Sequence, residues 1–289
     1  MKLHTIHTGY FKLDGGAMFG VVPKSIWNKL NPADENNMCP WALRCLLIED
    51  GNRLILVDTG MGNKQDAKFF GHYYLHGEDT LERSLSKIGF CKEDITDVFL
   101  THLHFDHCGG AIKRENDRLV PAFSNAVYWS NDQHWHWATI PNEREKASFL
   151  NENILPLKES GQLKFIPIND VGLNANGLLS SSSFTDDISV RVVNGHTDKM
   201  MLPQINYKGK TIVYMADLLP SVAHIPLPYI MSYDMFPLTT LKEKTSFLQE
   251  VVEKDFILYF EHDPVNECCN LQNTEKGIRV KDCFHLIDI

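Results

Sequence analysis

The sequence predicts an α/β protein. Short β-branched and aromatic runs recur along its 289 residues, amphipathic helical stretches lie between several of them, and a number of the runs end in histidine or aspartate. The densest of these endings is Thr101 to Gly110, THLHFDHCGG, which places His102, His104, Asp106 and His107 within six positions.

Met1 to Tyr10 alternates weakly and reads as an edge strand. It leads into 11–23, a stretch rich in glycine and apolar residues that suits a loop lying over something. Residues 28–40 are polar, carry Pro32 and Pro40, and read as a loop or a partner-facing insertion. Trp41 to Glu49 and Arg53 to Asp58 form the arms of a hairpin turned at Asp50-Gly51-Asn52. Asp79 or Thr80 caps a helix with Leu81, Leu85 and Ile88 on one face, ended by Gly89. Ile95 to Leu100 is then a buried strand.

The histidine-rich stretch follows at once. On a strand, side chains two apart face the same way, so His102 and His104 can address one metal ion. The chain must then turn, which directs Asp106 and His107 toward a second ion, and Gly109 and Gly110 permit a tight backbone beside them. Imidazole and carboxylate donors suit zinc, with iron, manganese or cobalt as alternatives. His134 and His136 also make a His-x-His pair, but without the strand-to-turn setting or a nearby carboxylate they read as packing and surface residues. Cys108 reads as a small core residue.

Beyond it, Arg114 to Arg118 reads as a charged surface turn, Ala126 to Trp129 as a strand, Asp132 to Asn153 as helix, Lys164 to Ile168 as a strand and Leu173 to Ser183 as loop. Ile188 to Val193, Thr211 to Met215 and Phe256 to Phe260 are strands running into His196, Asp217 and His262. A helix from Leu241 to Glu253 precedes the last of them, with Thr240 and Glu243 spaced as a capping box.

Composition narrows the class. With 43% hydrophobic and 22% charged residues the chain has material for a sizeable core, and a single domain over 1–289 is expected. A formal charge of −9 disfavours a nucleic-acid backbone as partner and leaves a small-molecule substrate. There is no basic-then-apolar leader and no run of about twenty apolar residues, so no membrane association and a cytoplasmic location are expected. Seven cysteines without regular spacing argue against a disulfide framework. The apolar N-terminal loop and the polar insertion at 28–40 point to a homodimer.

The pattern His-x-His-x-Asp-His, preceded by Asp58-Thr59-Gly60 and followed in order by His196, Asp217 and His262, resembles the ligand series of the metallo-β-lactamase superfamily. The resemblance implies an αβ/βα four-layer sandwich, two mixed β-sheets flanked by helices. It implies two divalent metal ions, zinc by preference: one on His102, His104 and His196, the other on Asp106, His107 and His262, with Asp217 bridging. Asp58 would lie beneath the ions and orient a ligand histidine. The full set of seven ligands implies a dinuclear hydrolase, and His104 stands where flavodiiron reductases carry glutamate. Two ions about 3.5 to 4 Å apart lower the pKa of a shared water from about 15.7 toward neutrality, so a bridging hydroxide is the implied nucleophile. Asp106 and Asp217 are the expected catalytic carboxylates, and no Gly-x-Ser-x-Gly elbow is present.

Within the superfamily, Met18-Phe19 and Phe105 are similar to segments that line the acyl pocket of N-acyl homoserine lactone lactonases, which implies lactone opening and quorum quenching. Those enzymes carry a tyrosine three residues after the bridging aspartate, where this chain has Pro220. The leaving oxygen's proton would then have to come from Asp217, a metal-bound water or a group on the following loop, where His224, Tyr229 and Tyr233 are the candidates and read first as pocket-wall or packing residues. Asp217 to His224 also resembles the corresponding loop of methyl-parathion-type organophosphate hydrolases, so triester hydrolysis is the alternative, alongside other ester or thioester hydrolysis.

Overall fold

The apolar runs assemble into two large mixed sheets. The computed structural model describes residues 1–168 and 181–289, which fall into two units: Met1–Phe11 with Ala42–Pro167, and Lys12–Trp41 with Ile168–Ile289. In chain order the first eight strands are β1 (Lys2–Asp14), β2 (Met38–Asp50), β3 (Arg53–Val57), β4 (Asp97–Phe99), β5 (Ile112–Glu115), β6 (Arg118–Pro121), β7 (Val127–Ser130) and β8 (Leu163–Phe165). Six of them form one sheet in the order β1-β2-β3-β4-β7-β8, while β5 and β6 pair by themselves. β3, β4, β7 and β8 are parallel, so Asp58, the histidine cluster and Asn131 all leave the sheet at one edge.

The opposite edge pins the register. Arg53 grips Asp97 with two hydrogen bonds of 3.0 and 2.7 Å, and Trp129 Nε1 donates to the same carboxylate at 2.7 Å, tying β3, β4 and β7 together. On the sheet's face Leu56, Val98 and Tyr128 meet Leu81 and Leu85 of the helix Leu81–Lys87. Thr80 caps that helix by accepting the Arg83 N–H, as its sequence position suggests.

Several expectations for this unit are corrected. The hairpin turn needs only Gly51 and Asn52, because Asp50 pairs with Arg53 and Gly51 adopts φ 61°. The charged turn at 114–118 is the tip of a hairpin, β5 to β6, with Asn116 and Asp117 both at positive φ. The single helix expected over 132–153 is two, Asp132–Thr139 and Asn151–Glu159. Pro141 explains the break, since it disfavours helical geometry at Ile140.

Among the described residues the second sheet has seven strands: β9 (Ser181–Ser183), β10 (Ile188–Val193), β11 (Met200–Tyr207), β12 (Lys210–Tyr214), β13 (Ile257–Tyr259), β14 (Cys268–Thr274) and β15 (Gly277–Phe284), ordered β15 to β9. β10 and β12 each run antiparallel to β11, and β13 is parallel to β12, so β10, β12 and β13 end at one edge. Those three ends precede His196, Asp217 and His262. Of the loop expected at 173–183, residues 173–180 lie outside the described residues, and Ser181–Ser183 is strand β9 paired with β10. The N-terminal stretch expected as loop also has regular structure: β1 continues to Asp14, which caps the helix Gly15–Phe19 through the Ala17 N–H at 2.8 Å, and Lys24–Trp27 follows as a second short helix.

The long helix of this unit spans Pro237–Lys254, starting four residues before the expected position. Proline at N1 begins it, with φ already helical and no N–H to satisfy. Thr240 and Glu243 therefore lie inside the helix and form no capping box; Glu243 accepts instead from the backbone of Asn194 and Gly195. No disulfide joins any of the seven cysteines, and no described helix is long and apolar enough to cross a membrane.

Candidate metal centre

In the first unit the donors are ordered from below by Asp58. It follows β3 with φ 57°, a left-handed conformation that aspartate tolerates better than most residues. Its carboxylate accepts the Thr101 N–H at 2.8 Å and the Thr101 hydroxyl at 2.7 Å, and His107 Nδ1 donates to it at 3.2 Å. This capture stops β4 at Phe99, so His102 and His104 stand on the loop beyond the strand and not on it, as the sequence reading had them. Asp106 and His107 belong to a single helical turn, Phe105–Cys108. The glycines that follow are required by close approach: a Cβ on Gly109 would lie 2.1 Å from the Met61 carbonyl oxygen, and one on Gly110 would lie 2.2 Å from that of Thr59.

Each imidazole in this cluster has one nitrogen fixed. His102 Nδ1 donates to Thr101 Oγ1 at 3.1 Å, because that hydroxyl's proton is already given to Asp58. His104 Nε2 donates to Glu145 Oε1 at 3.0 Å, and Trp137 Nε1 holds the other Glu145 oxygen at 2.7 Å. Consequently His102 Nε2 and His104 Nδ1 face each other across 3.0 Å with their lone pairs converging. Two buried lone pairs in that position call for a cation or a proton, and orientation of ligand histidines by carboxylates is how proteins build metal sites. His134 stands beside them: its Nε2 accepts the Leu103 N–H at 2.9 Å, a packing role, while His136 is exposed.

The second unit builds its donors around Asp217, which follows β12 after Ala216 at φ 41°. Asp217 Oδ2 lies 3.1 Å from His196 Nε2 and Oδ1 lies 3.2 Å from His262 Nε2. The carboxylate thus addresses two different imidazoles with its two oxygens, the disposition of a bridging ligand. His196 Nδ1 donates to Asp234 at 2.9 Å. Burial works against a charged ring at His196, yet Asp217 and Asp234 override it and raise it to about 10. Such a carboxylate-rich setting favours positive charge of any kind, a metal ion included. Both donor sets therefore fit divalent cations with nitrogen and oxygen preference.

Asp234, Glu145 and Thr101 were missed by the sequence reading. They lie far along the chain from the histidines they hold or, for Thr101, belong to a residue type too common to signal. Glu145 and Asp234 are buried carboxylates, and nothing in their local sequence marks them.

The expected substrate-facing residues fall into two aromatic groups. In the first unit Phe105 packs against Phe69 and Tyr73, at ring-centroid distances of 5.2 and 4.6 Å, and burial pushes the Tyr73 phenol up to about 12. In the second unit Met18 and Phe19 are buried. Phe19 stacks on His224 at 4.8 Å and on Trp27 at 5.1 Å, and meets Tyr229 edge-on at 6.2 Å. His224 is fully committed: Nε2 donates to the Met18 carbonyl at 2.9 Å and the Ser221 hydroxyl donates to Nδ1 at 2.8 Å. Burial drives its ring down to about 3, only partly opposed by the Met18 bond, so His224 is a neutral clamp and no proton donor. Tyr229 is half-buried and Tyr233 exposed on the same loop.

The metallo-beta-lactamase superfamily model matches residues 42–262, a span that holds both donor sets. An N-acyl homoserine lactonase of Bacillus cereus is 31% identical over 119 residues, 38% of this chain and 43% of that protein, so the chain spans less than half the length of the relative it matches. A probable metal-dependent hydrolase from Staphylococcus aureus superposes with a TM-score of 0.85 at 25% identity, covering 98% of this chain and 96% of that one. The dizinc quorum-quenching lactonase AidC, solved with a product, superposes with a TM-score of 0.77 at 22% identity over 98% of this chain and 95% of its own. The two mixed sheets with their helices are thus those of the expected fold class.

Proposed function

The chain belongs to the metallo-β-lactamase superfamily, and from that premise we propose that it is a dinuclear metal-dependent hydrolase that opens the ring of N-acyl homoserine lactones. The observation that carries the hydrolase reading is the Asp217 carboxylate, which offers one oxygen to His196 and the other to His262. In this reading His102, His104 and His196 hold one ion, Asp106, His107 and His262 the other, and Asp217 bridges them, with zinc as the metal. When bound, the ions supply an activated water and a Lewis acid for the scissile carbonyl.

The chain's own residues do the rest. Asp58, Glu145 and Asp234 hold His107, His104 and His196 in the tautomers that leave the opposite nitrogen toward the ions. Pro220 offers no proton, and His224 gives its own to Met18. Asp217 would then take the proton of the attacking water and pass it to the leaving oxygen of the opened ring, with Tyr229 and Tyr233 as the other candidates on this loop. The apolar groups around Met18, Phe19, Tyr229 and Tyr233, and around Phe105, wall the space that takes the acyl chain. The lactonase relatives, including the Bacillus cereus protein, support this choice of substrate. The protein acts as a single-domain enzyme in the cytosol, where its cysteines stay reduced, and as a homodimer.

The test is hydrolysis by zinc-loaded protein of acyl homoserine lactones, a simple γ-lactone, paraoxon-type triesters and a thioester, beside Asp217→Ala. Metal-dependent opening of the acylated lactones, abolished in the variant, is expected. A triester rate above the lactone rate would reject the lactonase reading and favour the organophosphate alternative suggested by Asp217 to His224. Sizing with light scattering checks the dimer.

A further inference from the structure

Three side chains spaced i, i+3 and i+4 on the helix Pro237–Lys254 are buried on one face, and two of them are ionisable: Thr240, Glu243 and Lys244. Lys244 is wholly buried, and the acceptors of its ammonium are main-chain carbonyls. Nζ donates to Pro226 at 2.7 Å, to Tyr229 at 2.9 Å and to Leu227 at 3.5 Å. A lysine ammonium has three donors and no acceptor, so it matches three carbonyls of one short loop. The loop has few donors of its own, because Pro226 and Pro228 contribute no N–H; Tyr229 N–H donates to the Pro226 carbonyl at 3.0 Å and Ile230 N–H to that of Pro228 at 3.1 Å, and Lys244 supplies the donors to Leu227 and Tyr229.

What this loop touches gives the anchoring a purpose. Tyr229 meets Phe19 edge-on, Phe19 stacks on His224, and further along Ser232 donates its N–H to the Ala17 carbonyl at 2.8 Å. Lys244 thus sets the height of a segment that grips Met18 and Phe19. A lysine that merely filled space would be replaceable by methionine, which keeps the length and the apolar stem but donates nothing.

We propose that Lys244 is a specificity-determining positioning residue: by capturing the carbonyls of residues 226–229 it fixes Tyr229 against Phe19 and sets the depth available to the substrate's apolar chain. The proposal rests on the lactonase reading for the identity of that chain, and on this unit's geometry alone for the anchoring.

The experiment compares full-length zinc-loaded wild type with Lys244→Met and Lys244→Gln. Amide hydrogen exchange is followed over residues 222–233, and KM and kcat are measured on butanoyl- and dodecanoyl-homoserine lactone. Loss of charge-assisted hydrogen bonds predicts exchange at the amides of Leu227, Tyr229 and Ile230 faster by about tenfold or more in Lys244→Met and by less in Lys244→Gln, which keeps a donor group. The dodecanoyl-to-butanoyl KM ratio shifts by about tenfold, with kcat on the butanoyl substrate and the zinc content unchanged. Exchange as slow as wild type in both variants, or an equal fall of kcat on both substrates at a constant KM ratio, overturns the proposal. If Lys244→Met does not fold, the same comparison is made with Lys244→Gln. Wild type that opens neither lactone defeats the lactonase reading instead, and the chain-length ratio is then read on p-nitrophenyl butanoate and dodecanoate.

Discussion

The two units assemble their donors in opposite ways. In the first, four donors stand within six consecutive residues, placed by one strand end, one helical turn and two glycines. In the second, His196, Asp217 and His262 come from separate strands and meet only because β10, β12 and β13 end at the same edge. Both nevertheless orient imidazoles with buried carboxylates: Asp58 and Glu145 in the first unit, Asp234 in the second. A compact motif thus saves no tertiary support; it moves the ligands together while their orienting groups stay far away in the chain.

The comparison breaks most visibly at Asp217, which serves both imidazoles of its unit. Asp217→Ala is expected to lower kcat/KM by about a thousandfold or more, since metal-centred charge stabilisation is worth several kcal/mol and each 1.36 kcal/mol is a factor of ten. A lactone assay of the zinc-loaded variant measures this directly, and activity within tenfold of wild type would remove Asp217 from the centre.

The orienting carboxylates come next. Asp58→Ala and Asp234→Ala should each weaken zinc binding by about 10- to 100-fold in a competition titration with a chromogenic chelator. They differ in stability. Asp58→Ala also strands the Thr101 N–H and forces alanine into a left-handed conformation, so its urea midpoint falls further than that of Asp234→Ala. Equal midpoints would mean that Asp58 supports only His107.

A glycine in each unit sharpens the same contrast. Gly109→Ala drives a Cβ to 2.1 Å from the Met61 carbonyl oxygen, and Gly195→Ala drives one to 2.2 Å from Thr240 Oγ1 and 2.4 Å from its nitrogen. Each is expected to cost about 1–3 kcal/mol in urea unfolding. Gly109→Ala should weaken zinc binding more, because it displaces the turn that carries Asp106 and His107.

The smallest effect concerns the helix behind the second donor set. Burial raises the Glu243 carboxyl to about 7, against the two N–H bonds that favour its charge, and lowers the Lys244 ammonium to about 7. Between about pH 4.5 and 7 the folded state holds the extra Glu243 proton, so stability falls as pH rises. Between about 7 and 10.5 the unfolded state holds the extra Lys244 proton, so stability rises with pH. Urea midpoints relative to wild type should show Glu243→Gln flattening the acidic limb and Lys244→Met the alkaline one. Unchanged limbs in both variants would show that neither group titrates in these windows.

Local sequence was enough to mark which side chains could be donors, because His-x-His-x-Asp-His is a contiguous pattern, and His196, Asp217 and His262 each follow an apolar run with period-two or buried-strand character. It was also enough for the helix Leu81–Lys87, through its cap, and for the hairpin at Gly51, through its turn chemistry. Tertiary structure settled what local pattern cannot carry. Where β4 stops depends on a carboxylate from β3's end, where the long helix starts depends on Pro237 and not on Thr240, and Glu243 is taken by a loop forty-odd residues earlier. The same holds for the tautomers of His104, His107 and His196, which are fixed by Glu145, Asp58 and Asp234 from distant parts of the chain, and for His224, whose two nitrogens are used up by Met18 and Ser221 before any substrate arrives. Residue chemistry is written locally, whereas the proton on a given nitrogen follows from which groups the fold buries against it.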